Sequence, residues 1–270
     1  MIPKKIHYCW LSGEDIPSNL QMCINSWKEI MPEYEIILWD KNRFDIKSVA
    51  FVEEACKVKK YAFAADYIRL YALYTEGGIY MDSDVLVKKK FDQFLEYDFF
   101  TSIVYHTATI KEKNTLALLN EDGTSKFTFT HKPGFGIQAA VLGSIKGHPY
   151  LKDCLEYYSD KHFVLRGKSF FNKIVASDIY AMVAEKRGFK YKNELQQLNG
   201  NMLILPSEVF TGNPDEVTEN TYAIHYCVGS WRSPTVRAII FNVLNLILEK
   251  LKLDTKIRKL LGKPLKYKLK

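Results

Sequence analysis

Tyr61–Val87 reads YAFAADYIRLYALYTEGGIYMDSDVLV. Up to Glu76 it carries apolar side chains on nearly every side, the pattern of a buried helix. Gly77-Gly78 stops that helix, because glycine adopts the left-handed backbone of helix ends at little steric cost. The residues that follow read as a strand. Alternation along a strand puts Tyr80, Asp82 and Asp84 on one face and Ile79, Met81, Ser83 and Val85 on the other. At ~3.3 Å per residue the two aspartate Cα atoms lie about 6 to 7 Å apart. Like charges that close are strained unless a cation joins them or one takes up a proton. A divalent metal carrying a phosphorylated ligand is the economical solution.

Upstream, Lys5–Leu11 is an apolar-rich run between Pro3 and Gly13 and predicts a first strand. Ser18 or Asn19 then caps a helix with Leu20, Cys23, Ile24 and Trp27 at helical spacing, ending at Pro32. Glu35–Trp39 predicts a second strand, and Ser48–Lys57 a helix after the turn at Asp40-Lys41-Asn42. Strand, helix, strand, helix, helix, strand is the order of an α/β chain with a parallel sheet flanked by helices. Neither GxGxxG nor GxxxxGK[ST] occurs, so any phosphate is held by other means.

Downstream, Phe99–Tyr105 reads as a strand and the polar stretch Thr107–Thr130 as a long functional or mobile loop rather than a core element. Gly134–Gln138 enters an apolar run to Leu142, and Gly147-His148-Pro149 is a turn. Helices are expected at Tyr150–Tyr158 and from about Phe170 to Lys186, with late strands at Met202–Leu205 and Tyr222–Cys227. With no internal repeat or low-complexity linker, residues 1–234 are expected to form one domain. From there Val236, Ile239, Ile240, Val243, Leu244, Ile247, Leu248 and Leu251 keep helical spacing.

The chain has 270 residues, 47% hydrophobic and 14% aromatic, enough for a substantial core. Its five cysteines are scattered without a CxxC pair, which argues against a disulfide framework or zinc site and for a reducing compartment. The start, MIPKKIHYCWLSG, lacks a signal-peptide core, and no segment has the ~18 apolar residues of a membrane span. The net charge of +7 is equalled by the local excess of Lys and Arg in residues 252–270, so the rest of the chain is neutral. That is a basic tail rather than a nucleic-acid-binding face. Residues 235–270 therefore read either as an amphipathic basic anchor for an anionic membrane surface or as a helix packed on the domain with a solvated end.

Asp66 and Arg69 stand three residues apart on the apolar helix. A buried charge must be paired or meet a ligand, so they form either a structural ion pair or part of a site. Their place before the Gly-Gly break and the D-x-D favours the site.

The set IPKKIHYCW near the start, followed by Ala62, Asp66, Arg69, Leu73, Tyr74, Gly77, Gly78, Tyr80, Asp82 and Asp84 in the spacing AxxxDxxRxxxLYxxGGxYxDxD, resembles glycosyltransferase family 32. That family includes Och1-type mannosyltransferases and bacterial capsule sugar transferases. More distantly, the set is similar to the glucosylating domain of clostridial toxins. The resemblance implies a GT-A fold, a Rossmann-like mixed sheet flanked by helices. It also implies a nucleotide-diphosphate sugar donor, UDP-sugar rather than GDP-sugar, Mn²⁺ or Mg²⁺, and retention at the anomeric carbon. Residue by residue it implies Trp10 stacked on the nucleobase, Asp66 and Arg69 on donor sugar and phosphate, Tyr80 beside the donor, Asp82 on ribose or metal-bound water, and Asp84 on the metal. In GT-A enzymes a late strand returns a ligand to the metal, which assigns His225 as a second metal ligand and Ser230 and Trp231 to a lid over the diphosphate. Gly136–Gln138 and Asp178 border the acceptor side by position, and the other histidines read as structural.

The expected enzyme moves a hexose to a glycan acceptor, lipid-linked, in surface polysaccharide synthesis. It would be cytoplasmic and peripheral at the inner face of a bacterial plasma membrane. Two rivals stand beside it. A Mg²⁺ phosphohydrolase of the haloacid dehalogenase type would use Asp82 as nucleophile, but that family typically continues DxDx[TV], whereas Leu86 occupies the fifth position here. A non-catalytic membrane-associated module leaves the paired aspartates unexplained.

Overall fold

A computed structural model describes residues 1–165, 169–171, 174–213 and 216–227. The expected boundary at residue 234, the 236–251 helix and the basic tail lie outside the described residues.

The first half follows the anticipated alternation. Strand β1 (Lys5–Cys9), helix α1 (Ser18–Ile30), strand β2 (Glu35–Trp39), helices α2 (Ala50–Lys57) and α3 (Tyr61–Glu76) and strand β3 (Gly78–Met81) come in that order. Helix α1 differs in its start: Pro17 is the N-cap and no side chain caps the first turn. Proline already fixes the backbone angle there.

After β3 come β4 (Val85–Val87), β5 (Phe99–Tyr105), α4 (Thr107–Glu112), β6 (Phe135–Ile137), β7 (Val141–Ser144), α5 (Pro149–Tyr157), α6 (Ala176–Ala184), β8 (Gln196–Leu198), β9 (Met202–Leu205), β10 (Phe210–Thr211) and β11 (Ala223–His225). The helix expected from Phe170 starts six residues later, where Asp178 accepts a hydrogen bond from Val175 N (3.1 Å) and ties off the first turn. The excursion after β5 is not all loop, since α4 and a short 3-10 turn at Thr115–Leu118 occupy its first half.

The main sheet has strand order β2-β1-β3-β7-β5-β9-β8, with β6 paired to the end of β5. β2, β1 and β3 run parallel, β7 is antiparallel to β3 and β5, and β9 is parallel to β5. The result is a mixed α/β sheet flanked by helices. Alternation along β3 divides the core: Ile79 and Met81 join one buried cluster with Ile24 and Trp27 of α1, and Tyr80 joins the other with residues of α2, α3, α5 and α6. A second sheet, β10-β11-β4, lies beyond the end of β3.

Buried polar groups fix this end of the sheet. Trp39 Nε1 donates to His7 Nδ1 (3.0 Å), which leaves the hydrogen of His7 on Nε2, 2.8 Å from Gly77 O. One imidazole thus ties β1 and β2 to the end of α3. Gly77 (φ 69°) and Gly78 (φ 115°) form the reversal into β3, and a Cβ on either would come within 2.8 Å of backbone, Lys146 N or Lys5 O. Gly143 is needed for space alone, because a Cβ there would lie 2.0 Å from Phe100 Cε1 on the paired strand. Gly143→Ala should therefore cost about 1–3 kcal/mol through overpacking, and adding Phe100→Leu should recover part of the loss. Urea denaturation measures both; a single variant as stable as wild type would contradict the packing.

Candidate active site

The paired aspartates are not in a strand. β3 ends at Met81, and Asp82-Ser83-Asp84 forms a turn closed by Val85 N donating to Asp82 O (3.0 Å), after which β4 enters the other sheet. The physical reason is the clamping of both flanks. Asp82 N donates to Ala140 O (2.9 Å) before the turn. After it, Trp27 Nε1 donates to Val85 O (2.7 Å) and Val87 N to Ser26 Oγ (3.0 Å), so α1 satisfies the outer edge of β4. The turn sits at the carboxyl end of β3, beside the carboxyl end of parallel β1, where open α/β sheets place ligands.

The late strand arrives here by register. β11 pairs antiparallel with β4, setting His225 opposite Val85, and Tyr226 N donates to Asp84 O (3.1 Å). His225 Nε2 lies 3.2 Å from Asp84 Oδ1 and 3.9 Å from Asp82 Oδ2. One ligand atom from each of Asp82, Asp84 and His225 falls within 4.8 Å of the others, so the three could hold one ion. Burial opposes charge on the His225 ring, but the hydrogen bonds it donates to Asp84 and Cys227 outweigh that and hold its pKa well above the usual range. The donor chemistry, two carboxylates and one imidazole, fits a divalent cation that accepts oxygen and nitrogen together.

Behind the turn lies Arg69, whose side chain is 5% exposed. Its Nη2 is 2.9 Å from Asp66 Oδ1 and 3.4 Å from Asp82 Oδ1, Nη1 donates to Ala139 O (2.7 Å), and Nε to Ala65 O (3.2 Å). The guanidinium stacks 4.9 Å from the centre of the Tyr80 ring, and the Tyr80 hydroxyl donates to Asp82 Oδ1 (2.9 Å). Asp66 and Arg69 are therefore ion-paired, and Arg69 also braces Asp82. Tyr80 is 1% exposed, and its hydroxyl is engaged by Asp82.

Burial pushes the Asp66 carboxyl up to about 7, against the pull of Arg69 and with the Asp82 charge adding to the rise. A folded-state value above the ordinary 3.8 means that the folded chain holds a proton the unfolded chain has released. The associated stability is complete below about pH 4 and declines as pH rises through about 7. Asp66→Asn removes that titration, so the fall in Tm of the metal-free protein between pH 5 and pH 8 should be shallower in the variant. Parallel slopes would rule this out.

Other expected site residues fall less centrally. Trp10 follows β1 and packs on the edge of the α1-side cluster, its indole N–H donating to Glu14 O (2.6 Å). Asp178 caps α6 and meets His131 Nε2 at 3.4 Å. Gln138 is committed to the scaffold, donating to Phe210 O (3.2 Å) and accepting from Ala140 N (3.1 Å). Ser230 and Trp231 lie outside the described residues. Sequence reasoning missed Ala139 and Ala140, whose carbonyls hold Arg69 and the aspartate turn, and Cys227, whose Sγ lies 3.4 Å from His225 Nδ1. The alanines act through backbone groups and leave no residue-type signal. Cys227 stood two positions from His225 in a predicted strand, a spacing that could have drawn notice.

Residues 17–101, from the start of α1 into β5, match the family described as the glycosyltransferase sugar-binding region containing a DXD motif. That stretch is thus similar to the DXD sugar-binding regions of glycosyltransferases. An uncharacterized glycosyltransferase of Acanthamoeba polyphaga mimivirus is 35% identical over 109 residues, covering 37% of this chain and 42% of the relative. Inositol phosphoceramide mannosyltransferase 3 of Schizosaccharomyces pombe is 28% identical over 154 residues, covering 56% of this chain and 35% of the relative. The chain spans less than half the length of these curated relatives. Among solved structures, the PaToxG glycosyltransferase superposes with a TM-score of 0.45 at 18% identity, covering 68% of this chain and 69% of that one.

Proposed function

We propose that this chain is a glycosyltransferase of family 32, of GT-A type, that moves a hexose from a nucleotide-diphosphate sugar, UDP-linked, to a glycan acceptor with retention of configuration. The observation that carries this is the meeting of Asp82, Asp84 and His225 within 4.8 Å of one another, on a turn inside the matched DXD region. Asp84 and His225 would hold a divalent cation with Asp82 completing the set. An imidazole nitrogen beside two carboxylates suits Mn²⁺ better than Mg²⁺, which prefers oxygen alone. When bound, such a cation offsets the negative charge that builds on a departing diphosphate.

The chain's own groups do the rest. Arg69 keeps Asp82 aimed, since its guanidinium sits 3.4 Å from that carboxylate while Tyr80 donates to the same oxygen. Rigid placement of this kind is what lets a site act on developing charge without reorganising. A lipid-linked acceptor draws support from the relative named for inositol phosphoceramide, and from the amphipathic pattern and basic residues of 236–270. The basic amphipathic pattern also suits work at the inner face of a membrane, and surface polysaccharide synthesis belongs to the same reading. Among the described residues no helix is long and apolar enough to cross a membrane.

The test is Mn²⁺-dependent binding and turnover across a panel of UDP- and GDP-sugars, mannosyl donors included, read as nucleotide release. Hydrolysis of simple phosphomonoesters without nucleotide-sugar binding would sink the transferase reading in favour of a phosphohydrolase.

A further inference from the structure

Cys227 has a backbone φ of 49°, a left-handed conformation unusual for a residue with a side chain. Its Sγ lies 3.4 Å from His225 Nδ1 and 3.7 Å from Gly212 O. Gly212 presents only backbone there, and a Cβ on it would stand 3.4 Å from the sulfur. A carbonyl oxygen only accepts, so the thiol hydrogen is directed to Gly212 O and a sulfur lone pair faces the ring. Nδ1 then carries the hydrogen. Nε2, on the far side of the imidazole, is the nitrogen that faces Asp84 at 3.2 Å and Asp82 at 3.9 Å.

A histidine that binds metal through one nitrogen needs its other N–H held, and a carboxylate, carbonyl or water usually does this. We propose that Cys227 is a positioning residue for His225: its sulfur, oriented by Gly212 O, fixes the ring plane and the Nδ1–H tautomer that presents Nε2 to a cation between Asp82 and Asp84. This rests on the metal-site reading above. It assigns a role to a thiol that is exposed, whereas Cys23, Cys56 and Cys154 are buried and Cys9 is half-buried, with burial pushing the Cys9 thiol up to about 12. A small thiol reagent therefore meets Cys227 first.

The experiment measures Mn²⁺ affinity of the full chain by the electron paramagnetic resonance signal of the free ion. Cys227→Ala should weaken binding about 10-fold, the lower end of the effect of removing a group that orients a ligand. Cys227→Ser, whose hydroxyl can donate to Gly212 and accept from Nδ1, should recover most of the loss. In the wild type, capping the thiol with methyl methanethiosulfonate should reproduce the alanine result, dithiothreitol should reverse it, and the serine variant should be indifferent to the reagent. That reversible arm keeps the test valid if a variant folds poorly. Wild-type affinity in the alanine variant, or a serine variant as weak as alanine, overturns the positioning role alone. A wild type that binds no Mn²⁺ overturns the metal site and the positioning role with it.

Discussion

Arg69→Met is expected to destabilise the fold by about 3–5 kcal/mol, the range for breaking a buried ion pair from one side. Methionine fills much of the volume, so the loss comes from what the guanidinium leaves behind. Asp66 and Asp82 would face each other without the cation that stands 2.9 Å from one and 3.4 Å from the other. Ala139 O, which is partly buried, would also lose its donor, which adds to the cost. At ~2–4 °C per kcal/mol for a chain of this size, Tm should fall by roughly 10 °C. Arg69→Lys keeps the charge but loses the planar fork and the stacking on Tyr80, so it should fall between. Adding Asp66→Asn to Arg69→Met removes one stranded carboxylate and should return part of the loss as a coupling energy. A methionine variant with wild-type urea midpoint would show that the cation is not what holds these carboxylates.

Arg69 also shows where the sequence was readable. The helix from Tyr61, the Gly-Gly reversal and the strand after it were legible because each depends on neighbours in the chain: apolar periodicity, glycine backbone freedom, alternation. Asp66 and Arg69 could be paired on paper, being one helical turn apart. The partner of Arg69 at Ala139 could not, because a backbone carbonyl carries no residue-type signature and sits 70 positions away.

The aspartate turn was misread for a related reason. Ile79 to Val87 alternates well enough to pass for one strand. The break after Met81 is imposed from outside, by Ala140 O on one flank and by Trp27 and Ser26 on the other. The side chains of Asp82 and Asp84 nonetheless lie close together, since a tight turn converges alternate side chains as a strand face does. His225 was placed near them by resemblance; the physical cause is the β4–β11 register, which requires knowing that residues 82–84 turn a corner. The short strands β8 and β10 gave no signal of their own, three and two residues being too few for a period to show.

Asp84→Ala carries the largest functional prediction, loss of turnover by on the order of a thousandfold or more, the scale for removing a group that stabilises charge in the transition state. The fold should survive. Asp84 side chain is 14% exposed, and its removal takes away a carboxylate close to Asp82 as well as the partner of His225, two effects of opposite sign on the metal-free protein. The variant should therefore unfold within about 1 kcal/mol of wild type in chelator. The two proteins should part once cation is added. A ligand at a hundred times its Kd stabilises the folded state by about 2.7 kcal/mol, so saturating Mn²⁺ should raise the wild-type Tm by several degrees. Asp82 and His225 alone, still joined through Tyr80 and Arg69 on one side and Cys227 on the other, lack the third ligand atom, and the variant should show little of that rise. Asp84→Asn keeps the shape and an oxygen donor but not the charge, and should restore part of the thermal shift while leaving turnover low. That separation would assign the role of Asp84 to its charge beside a cation. Full turnover and an unchanged Mn²⁺ shift in the alanine variant would remove the aspartate turn from the reaction altogether.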